Sequence, residues 1–561
     1  MPFEAKQYGN FVAEKSAAHR NLIPDYDGES TDFDCITIGS GMGGGIFADD
    51  LADRNTTSGR SFLVIEAGSF LYPTHVYNVC NFPNFTVAGN FAVESFIKEE
   101  SEKYYIGEWP QLNFGGRAIF WSGLIPSVQP WELEFFPEQV RQDLNNTYLA
   151  RASKIMNQSI SMGQVSAAIV EYLRGTDLND EFMIVETPRA LHQPYLNSNG
   201  TLSDDFFIEP TGVFNTAELL INQLRLFDKK DNPSDKKSEF NVKLNSFVET
   251  VNRLDNGNYE VKTVDTVTNQ SRSFFAPNVV VAAGSIESPK IIRRSNVYDR
   301  LPDYAKNLVG LGLTDHPTTN PIKAKVTNIG PITINTDDHG KIMFYSRGNR
   351  EPDGSIRYPF NIEMNVNGEY WHRRENDPTN PSDEPVDEVT IEIKFSFGNP
   401  LEDQNVIQPQ SDDDYKSKIF FRDHRDTEYL YGNRFPALAG WNKNADEVYA
   451  TLNGITYQVL SKFSFFGNEA RPLGENWYGP FNNFGYGTVH HAIGTLRMPF
   501  KPAWNAPFQL DSVVDQNLQV INHEGLYVCD MSVVPFSSAA NPVRTLGGLS
   551  LRLSEHVLSK L

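Results

Sequence analysis

A glycine-rich turn near the N-terminus constrains the fold of this chain more than any other feature of its sequence. The turn reads Gly39-Ser40-Gly41-Met42-Gly43-Gly44 and contains the spacing G-x-G-x-x-G. A β-branched run over 35–38 precedes it, a helical pattern over 46–52 follows, and a second apolar run over 61–65 ends at Glu66. This order predicts a strand, a tight turn, a helix and a second strand, which together make one βαβ unit.

The glycines of this turn have different physical roles if the turn binds a dinucleotide. Gly39 permits the tight turn, Gly41 lets the backbone approach a pyrophosphate, and Gly44 lets the helix pack closely on the strand. The helix N-terminus then offers unpaired N–H groups to the phosphates. Glu66 can accept a hydrogen bond from the adenosine ribose, which favours FAD or NAD over NADP. The alternative is a glycine-rich turn that binds no ligand.

Composition narrows the classes of partner. The 561 residues carry a net charge of −22 at pH 7, which argues against nucleic acid and anionic membrane, because both attract clustered Lys and Arg. Three cysteines are too few for a disulfide framework, and no ligand spacing predicts a metal site. No apolar run approaches the roughly 18–20 residues that span a bilayer. Residues 1–20 lack the apolar core of a secretory signal, so we expect a cytoplasmic protein.

Signals of an α/β nucleotide-binding domain occur at both ends of the chain. The apolar run 278–283 is typical of a parallel strand buried on both faces, and the run 526–529 precedes a helix from about Pro542. Residues 318–480 instead show alternating strands such as 389–394. The sequence therefore predicts an α/β fold with two domains. A discontinuous Rossmann-type FAD-binding domain covers 30–135, 205–317 and 480–561, and an inserted antiparallel-sheet substrate-binding domain covers 136–204 and 318–479.

Three further parts of the chain resemble glucose–methanol–choline (GMC) oxidoreductases. They are the segment Gly115-Gly116-Arg117-Ala118-Ile119-Phe120-Trp121, the run 284–295, and a C-terminal region with His491-Ala492-Ile493-Gly494-Thr495, 525–530 and Ala540-Asn541-Pro542. The resemblance implies the GMC fold, FAD as cofactor and oxidation of an alcohol. It assigns contacts with FAD to Gly39, Gly41, Gly43, Gly44, Glu66, Gly115, Gly116, Phe120, Trp121, Val248, Ala283, Gly284, Asp530, Pro542 and Val543.

Within this family, the sequence is most similar to the branch of pyranose oxidases and C-glycoside 3-oxidases. The motif Gly-Gly-Arg-x-x-x-Trp at 115–121 and the run His-His-x-x-Gly-Thr-Leu-Arg-Met at 490–498 carry this resemblance. Pyranose oxidases often link the flavin covalently to a histidine in the first of these segments. This chain has Ile119 and Phe120 there, so we expect FAD to be bound non-covalently.

The reacting groups are expected in the C-terminal region. Removal of a hydroxyl proton near neutral pH suits a histidine, and its spacing to Gly494 makes His491 the expected base. His490 is the second choice, because adjacent residues of an extended segment point in opposite directions. His316, in an Asp-His-Pro segment, is interpreted as structural.

Asn541 is expected to have two roles. Its position before Pro542 predicts the N-cap of the last helix, with the proline at the first helical position. The family resemblance adds that its amide faces the substrate oxygen beside His491. The same resemblance places the backbone N–H groups near Val543 against the flavin, where the helix N-terminus would stabilise negative charge.

These expectations describe oxidation of a secondary alcohol, and the branch resemblance implies a ring hydroxyl, at carbon 2 or carbon 3, of a pyranose sugar or glycoside. Three alternatives stay open: a non-sugar alcohol such as a sterol or an aryl alcohol, a GMC-fold lyase that keeps FAD without redox turnover, and a flavin-binding protein without activity. The sequence also leaves open whether molecular oxygen or another electron acceptor reoxidises the flavin, and whether the chain forms homo-oligomers.

Overall fold

The computed structural model describes residues 23, 25–55, 58–78, 96–98, 110–161, 163–192, 212–227, 238–316, 318–319, 322–328, 332–334, 338–367, 389–409, 417–420, 445–465 and 490–561. The N-terminal segment 1–20 discussed above lies outside these ranges. The strands are β1 Cys35–Ile38, β2 Ser61–Ile65, β3 Phe96–Lys98, β4 Phe182–Glu186, β5 Glu239–Lys243, β6 Ser246–Arg253, β7 Tyr259–Asp265, β8 Ser271–Ala276, β9 Asn278–Val281, β10 Ile322–Asn328, β11 Gly340–Ser346, β12 Phe360–Val366, β13 Val389–Phe397, β14 Asn399–Pro400, β15 Val406–Pro409, β16 Ser417–Phe420, β17 Ser464–Phe465, β18 Leu526–Val528 and β19 Phe536–Ser537. The α-helices are α1 Met42–Asp53, α2 Pro130–Leu133, α3 Glu138–Asp143, α4 Leu149–Ile155, α5 Gln164–Arg174, α6 Leu178–Glu181, α7 Thr216–Phe227, α8 Gly284–Arg294, α9 Asn296–Asp299, α10 Asp303–Lys306, α11 Ala445–Leu460 and α12 Val543–Leu558.

A five-stranded parallel sheet forms the centre of the nucleotide-binding layer. Its strand order is β18-β9-β1-β2-β5, and every pair is parallel. One hydrophobic core joins this sheet to α1, α7 and α12 and to the three-stranded antiparallel sheet β6-β7-β8. All residues of β1 and β9 are buried, as their apolar runs predicted. The sheet draws strands from both ends of the chain, which confirms the predicted α/β fold.

A six-stranded antiparallel sheet forms the second layer, in the order β17-β10-β13-β12-β11-β4. Alternation along its strands gives it two different faces. One face packs Ile342, Ile362 and Ile393 against α5 and α11 in a separate core. The opposite face carries Lys341, Glu363 and Lys394, which line a cavity. The sheet therefore has an apolar side for its own core and a polar side for the cavity.

The C-terminal helix α12 packs an apolar stripe into the protein. The stripe is buried and consists of Leu546, Leu549, Leu553 and Val557. A Cβ atom at Gly547 would lie 2.7 Å from Met156 Cε, and one at Gly548 would lie 2.9 Å from Leu144 Cδ2. The glycine pair thus lets the helical segment 144–156 approach α12 closely.

The start of α12 corrects the predicted cap. Its N-cap is Pro542, whose carbonyl accepts a hydrogen bond from Leu546 N at 2.9 Å, and no side chain caps the helix. Asn541 lies one residue too early, because a capping side chain must reach the second or third N–H of the helix from the N-cap itself. The prediction that Asn541 caps the helix was wrong. Within the described part of the chain, its amide makes no hydrogen bond that would occupy it.

Cys35 and Cys529 are free and buried, and burial raises the pKa of Cys529 to about 12. Among the residues that the structure describes, none of the helices combines the length and the apolar character that a bilayer crossing requires.

Candidate active site

A cavity of about 730 Å³ lies between the glycine turn after β1 and the polar face of the six-stranded sheet. This volume is in the range of sites that enclose a cofactor or a drug-sized ligand. Predicted site residues that line it are Gly39, Gly41, Gly43, Glu66, Gly116, Phe120, Trp121, Val248, Ala283, Gly284, His490, His491, Asp530, Asn541, Pro542 and Val543. The structure therefore brings together residues from widely separated parts of the sequence. Their individual roles stay predictions.

The glycine turn is tightly packed except at one position. A Cβ atom at Gly39 would lie 2.3 Å from Ala282 O, at Gly43 2.0 Å from Cys529 O, and at Gly44 2.1 Å from Gly39 O. A Cβ atom at Gly41 would meet no described atom within 4 Å apart from its chain neighbours. Gly44 thus supports the turn from behind the cavity wall, whereas Gly41 leaves room for a ligand to approach the backbone.

The N-terminus of α1 is suited to bind an anion. Its N-cap is Gly41, no side chain caps it, and its first turn contains no acidic residue. The first N–H groups of a helix have no partner within the helix, so they are available to phosphate. With the open position at Gly41, this arrangement fits the pyrophosphate of FAD.

Glu66 connects the turn to its neighbours. Its Oε2 accepts hydrogen bonds from Ser40 Oγ at 2.6 Å and Ser40 N at 3.2 Å, and its Oε1 accepts from Gly68 N at 2.8 Å. Ser40 Oγ in turn accepts from Gly115 N at 2.8 Å, which explains why Gly115 lies behind the cavity wall. Burial raises the pKa of Glu66, and these hydrogen bonds oppose the increase. The carboxylate therefore orders the turn as well as lining the cavity.

The segment after Gly115 covers the glycine turn. Gly116 has φ 53°, and a Cβ atom on it would lie 3.0 Å from the Cα of Gly41. Trp121 Nε1 donates a hydrogen bond to Phe214 O at 2.8 Å, so its ring is fixed at the cavity. The close approach of the two backbone segments therefore depends on the glycine at position 116.

Asp530 fastens the end of β18 to the start of α8. Its Oδ2 accepts from Gly284 N at 2.9 Å and from Ser288 Oγ at 2.5 Å, and its Oδ1 accepts from Ser532 N at 2.8 Å. Gly284 has φ +87° and, like Gly41, no described atom within 4 Å of a Cβ position. The carboxylate thus holds open a second stretch of backbone that can approach a ligand.

Two histidines from different segments meet at the cavity. His491 Nδ1 lies 2.9 Å from His316 Nε2, and His316 Nδ1 lies 3.0 Å from Ser538 O. A carbonyl oxygen only accepts, so His316 Nδ1 must carry a proton, and the Nε2 of a neutral His316 must be bare. His491 Nδ1 therefore donates to it, which leaves His491 Nε2 without a proton. This nitrogen is the proton acceptor that the ring can offer.

Both rings are held in the neutral state that this arrangement requires. Burial lowers the pKa of His316 to about 4, and Lys394 contributes further. Burial, followed by the positive charge that His316 and His490 would carry, lowers the pKa of His491 well below 6.5. The chain thus presents an unprotonated imidazole nitrogen at neutral pH.

His490 and Asn541 lie beside this pair in the cavity wall. His490 is exposed and has φ 61°, so the backbone is not extended there, contrary to the premise used to separate the two adjacent histidines. Asn541 is partly buried. Its amide is available to a bound molecule, since it does not cap α12.

Four of the cavity residues that sequence reasoning missed lie on or beside the polar face of the second sheet. Lys341, Glu363 and Lys394 were not considered, and His316 was interpreted as structural, although its Asp-His-Pro segment was noticed. The alternating run at 389–394 indicated a strand but could not show which of its faces meets the cavity. The lysines and the glutamate come from three strands of the second sheet, so only the folded chain brings them together.

Asp315, His316 and His491 also lie close enough to hold a metal ion. However, the facing nitrogens of the two histidines share a hydrogen bond, and a metal bound between them would have to replace it. We therefore assign no metal to this group.

A Rossmann-type layer with a second antiparallel sheet over its cavity defines the GMC oxidoreductase fold. Two solved structures share it: pyridoxine 4-oxidase from Mesorbium loti (TM-score 0.58, 14% identity, 93% of this chain and 99% of that chain covered) and a formate oxidase variant from Aspergillus oryzae RIB40, studied for its FAD modification (TM-score 0.59, 14% identity, 95% and 99% covered). At this identity the likeness concerns the fold.

Part of the amino-acid sequence also matches a protein family model. Residues 473–549 match the family model described as GMC oxidoreductase, C-terminal part, a segment that contains His491 and Asn541. No curated protein matches the chain by sequence. The C-terminal match and the shared fold together support the GMC oxidoreductase family, and nothing in them confirms the pyranose oxidase branch.

Proposed function

We propose that the protein is an FAD-dependent oxidoreductase that converts a secondary alcohol to a ketone, the substrate being a pyranose sugar or glycoside oxidised at a ring hydroxyl. The observation that carries the proposal is the unprotonated Nε2 of His491, fixed by the hydrogen bond to His316. A base beside a dinucleotide-sized cavity is what alcohol oxidation requires. The C-terminal family match supports the same activity.

Different residues of this chain have different roles in the proposed reaction. When bound, FAD supplies the acceptor for the hydride that leaves the alcohol carbon. His491 Nε2 takes the hydroxyl proton, while its Nδ1–H continues to donate to His316. The amide of Asn541 donates to the substrate oxygen and holds the C–H bond in a fixed direction. The glycine turn at Gly41 and the N-terminus of α1 hold the pyrophosphate, and the backbone near Val543 holds the flavin.

Replacement of the base tests the proposal. We expect His491→Ala to keep FAD bound but to slow flavin reduction by on the order of 10²–10⁴-fold, the usual contribution of a general base. His490→Ala is the matched control, and its effect should be milder. The measurement is the loss of visible flavin absorption after anaerobic mixing with sugars and other alcohols, because a lyase that keeps FAD without redox turnover would not bleach it. A larger loss in His490→Ala, with both variants folded, would reverse the assignment.

A further inference from the structure

The short helix α2 packs against the segment that leads to Asn541. The ring of Phe536, in this segment, lies edge-on to that of Trp131 with centroids 6.1 Å apart, and it stacks on that of Phe135 at 3.9 Å. Ala539 belongs to the same buried cluster. This packing fixes α2 against a segment whose last residue, Asn541, lines the cavity.

Glu132 joins α2 to this segment through both of its carboxylate oxygens. The residue is 0% exposed. Its Oε2 accepts a hydrogen bond from Gln129 N at 2.5 Å, and its Oε1 accepts one from Ala540 N at 3.0 Å. The first contact caps the start of α2, where Gln129 is the N-cap. The second contact reaches 408 residues along the chain to the residue before Asn541.

Capping of α2 alone does not explain a buried carboxylate at this position. Glutamine makes the same contact with the N–H of an N-cap, and burial of a charged group is costly unless the group is fully hydrogen-bonded. Burial raises the pKa of Glu132, and the N–H groups of Gln129, Ala540 and Ala539 oppose the increase. The contact with Ala540 is the one that requires a second acceptor oxygen, which an amide does not have.

Asn541 lies between two fixed neighbours. Ala540 is held by Glu132 on one side. Pro542 is the N-cap of α12 on the other side, and the apolar stripe of that helix is buried. The hydrogen bond to Ala540 N therefore sets the position from which the side chain of Asn541 enters the cavity.

The earlier part of the segment has anchors of its own. Strand β19 pairs with β14, and Ser538 O accepts a hydrogen bond from His316 Nδ1 at 3.0 Å. Loss of the contact at Ala540 should therefore displace Asn541 while the pair of His316 and His491 stays in place.

We propose that Glu132 is a positioning residue, which holds the amide of Asn541 toward the substrate oxygen through its hydrogen bond with Ala540 N. Glu132 itself lies outside the cavity wall, so it acts through Asn541 and not on the substrate. This inference rests on the proposed function, in which Asn541 donates a hydrogen bond to the substrate oxygen.

Glu132→Gln tests the inference, because glutamine has nearly the same shape but only one acceptor oxygen. That oxygen should stay with Gln129, the shorter contact within the same turn. The amide nitrogen then faces Ala540 N, so that two donors meet. At pH 8, where the carboxylate of the wild type is ionised, the limiting rate of anaerobic flavin reduction should fall about three- to tenfold, the value of one hydrogen bond.

The double variant Glu132→Gln with Asn541→Ala separates positioning from a merely structural role. If Glu132 acts through Asn541, the double variant should reduce its flavin as fast as Asn541→Ala alone, whereas independent effects would multiply. Wild-type reduction by Glu132→Gln, or multiplied effects in the double variant, would overturn the inference. The matched control is Glu134→Gln, which follows α2 and loses a partly exposed ion pair with Arg350. It should behave as wild type.

Amide hydrogen exchange tests the contact without any substrate. Ala540 is 0% exposed, and peptides that cover 538–541 should exchange about tenfold faster in Glu132→Gln than in wild type or Glu134→Gln. If no alcohol bleaches the flavin, the proposed function fails, and exchange still decides whether Glu132 holds this segment. If alcohols bleach the flavin but exchange of the segment is unchanged in Glu132→Gln, the positioning role alone is wrong.

Discussion

At the scale of single residues, the hydrogen bond from His491 to His316 determines which nitrogen can act as a base. A histidine alone could present either nitrogen, or both as donors when protonated. Here Ser538 O fixes His316, and His316 fixes His491. The sequence identified His491 by its spacing but could not identify this partner, which lies 175 residues earlier.

The lowered pKa of His491 predicts how the reaction depends on pH. A depressed pKa means that the neutral base persists as the pH falls through 6.5, and that it is lost only well below that value. The limiting rate of flavin reduction should therefore be flat from about pH 8 to about pH 6.5 and fall only in more acidic solution. Stopped-flow reduction across this range measures it. An inflection at or above pH 6.5 would show that His491 is not the titrating base.

Asn541 gives a second prediction at this scale. Because it does not cap α12, Asn541→Ala should change the free energy of unfolding by no more than about 0.5 kcal/mol, the usual effect of a substitution that removes no structural contact. The same variant should slow flavin reduction about tenfold, equivalent to roughly 1.4 kcal/mol of barrier. Thermal unfolding and single-turnover reduction on one preparation check both. A wild-type reduction rate would remove Asn541 from the reacting groups.

At the scale of elements, the glycine turn and the N-terminus of α1 together form the expected phosphate site. Among the glycines of this turn, Gly41 has free space around its Cβ position. Gly41→Ala should leave the FAD-free protein as stable as wild type, because Gly41 has φ −65°, which alanine adopts, and space around its Cβ position. It should nevertheless weaken FAD binding, since the added methyl group occupies the approach to the backbone.

Gly43→Ala is the contrasting variant for this prediction. Its methyl group would lie 2.0 Å from Cys529 O, so β18 must shift, and overpacking of this kind costs about 1–3 kcal/mol. Thermal unfolding of the apoproteins and titration with FAD distinguish the two variants. Wild-type FAD affinity in Gly41→Ala would mean that the turn does not contact the nucleotide.

Elements of the parallel sheet were predictable because burial on both faces leaves continuous apolar runs in the sequence. β1, β2, β9 and β18 were predicted in this way. The N-cap of α12 was predicted one residue too early, because Asn and Pro each occur at more than one position at the start of a helix. The cavity lysines could not be predicted, because the alternation of apolar and polar residues along one strand does not show which strands lie next to it in an antiparallel sheet.

At the scale of the whole molecule, the cofactor should leave when the fold is lost. The purified protein should be yellow, and acid precipitation should release FAD into the supernatant, because Ile119 and Phe120 offer no nucleophile for a covalent link. Absorption spectra of pellet and supernatant measure this. Flavin retained in the pellet would contradict non-covalent binding, and NAD in place of flavin would contradict the proposed function.

The parallel order of the central sheet also has a consequence for how the protein is made. Ribosomes release the N-terminal part first, so β1, β2, β5 and β9 are available long before β18, which covers the open edge of β9. Asp530, His491 and Asn541 emerge in the same late stretch. Until then the nascent chain exposes the unpaired edge of β9, and exposed strand edges promote aggregation. Only some of the residues expected to contact FAD have been synthesised at that stage. A chain interrupted before Gly525 would therefore be a target for chaperones and proteases rather than a slower enzyme.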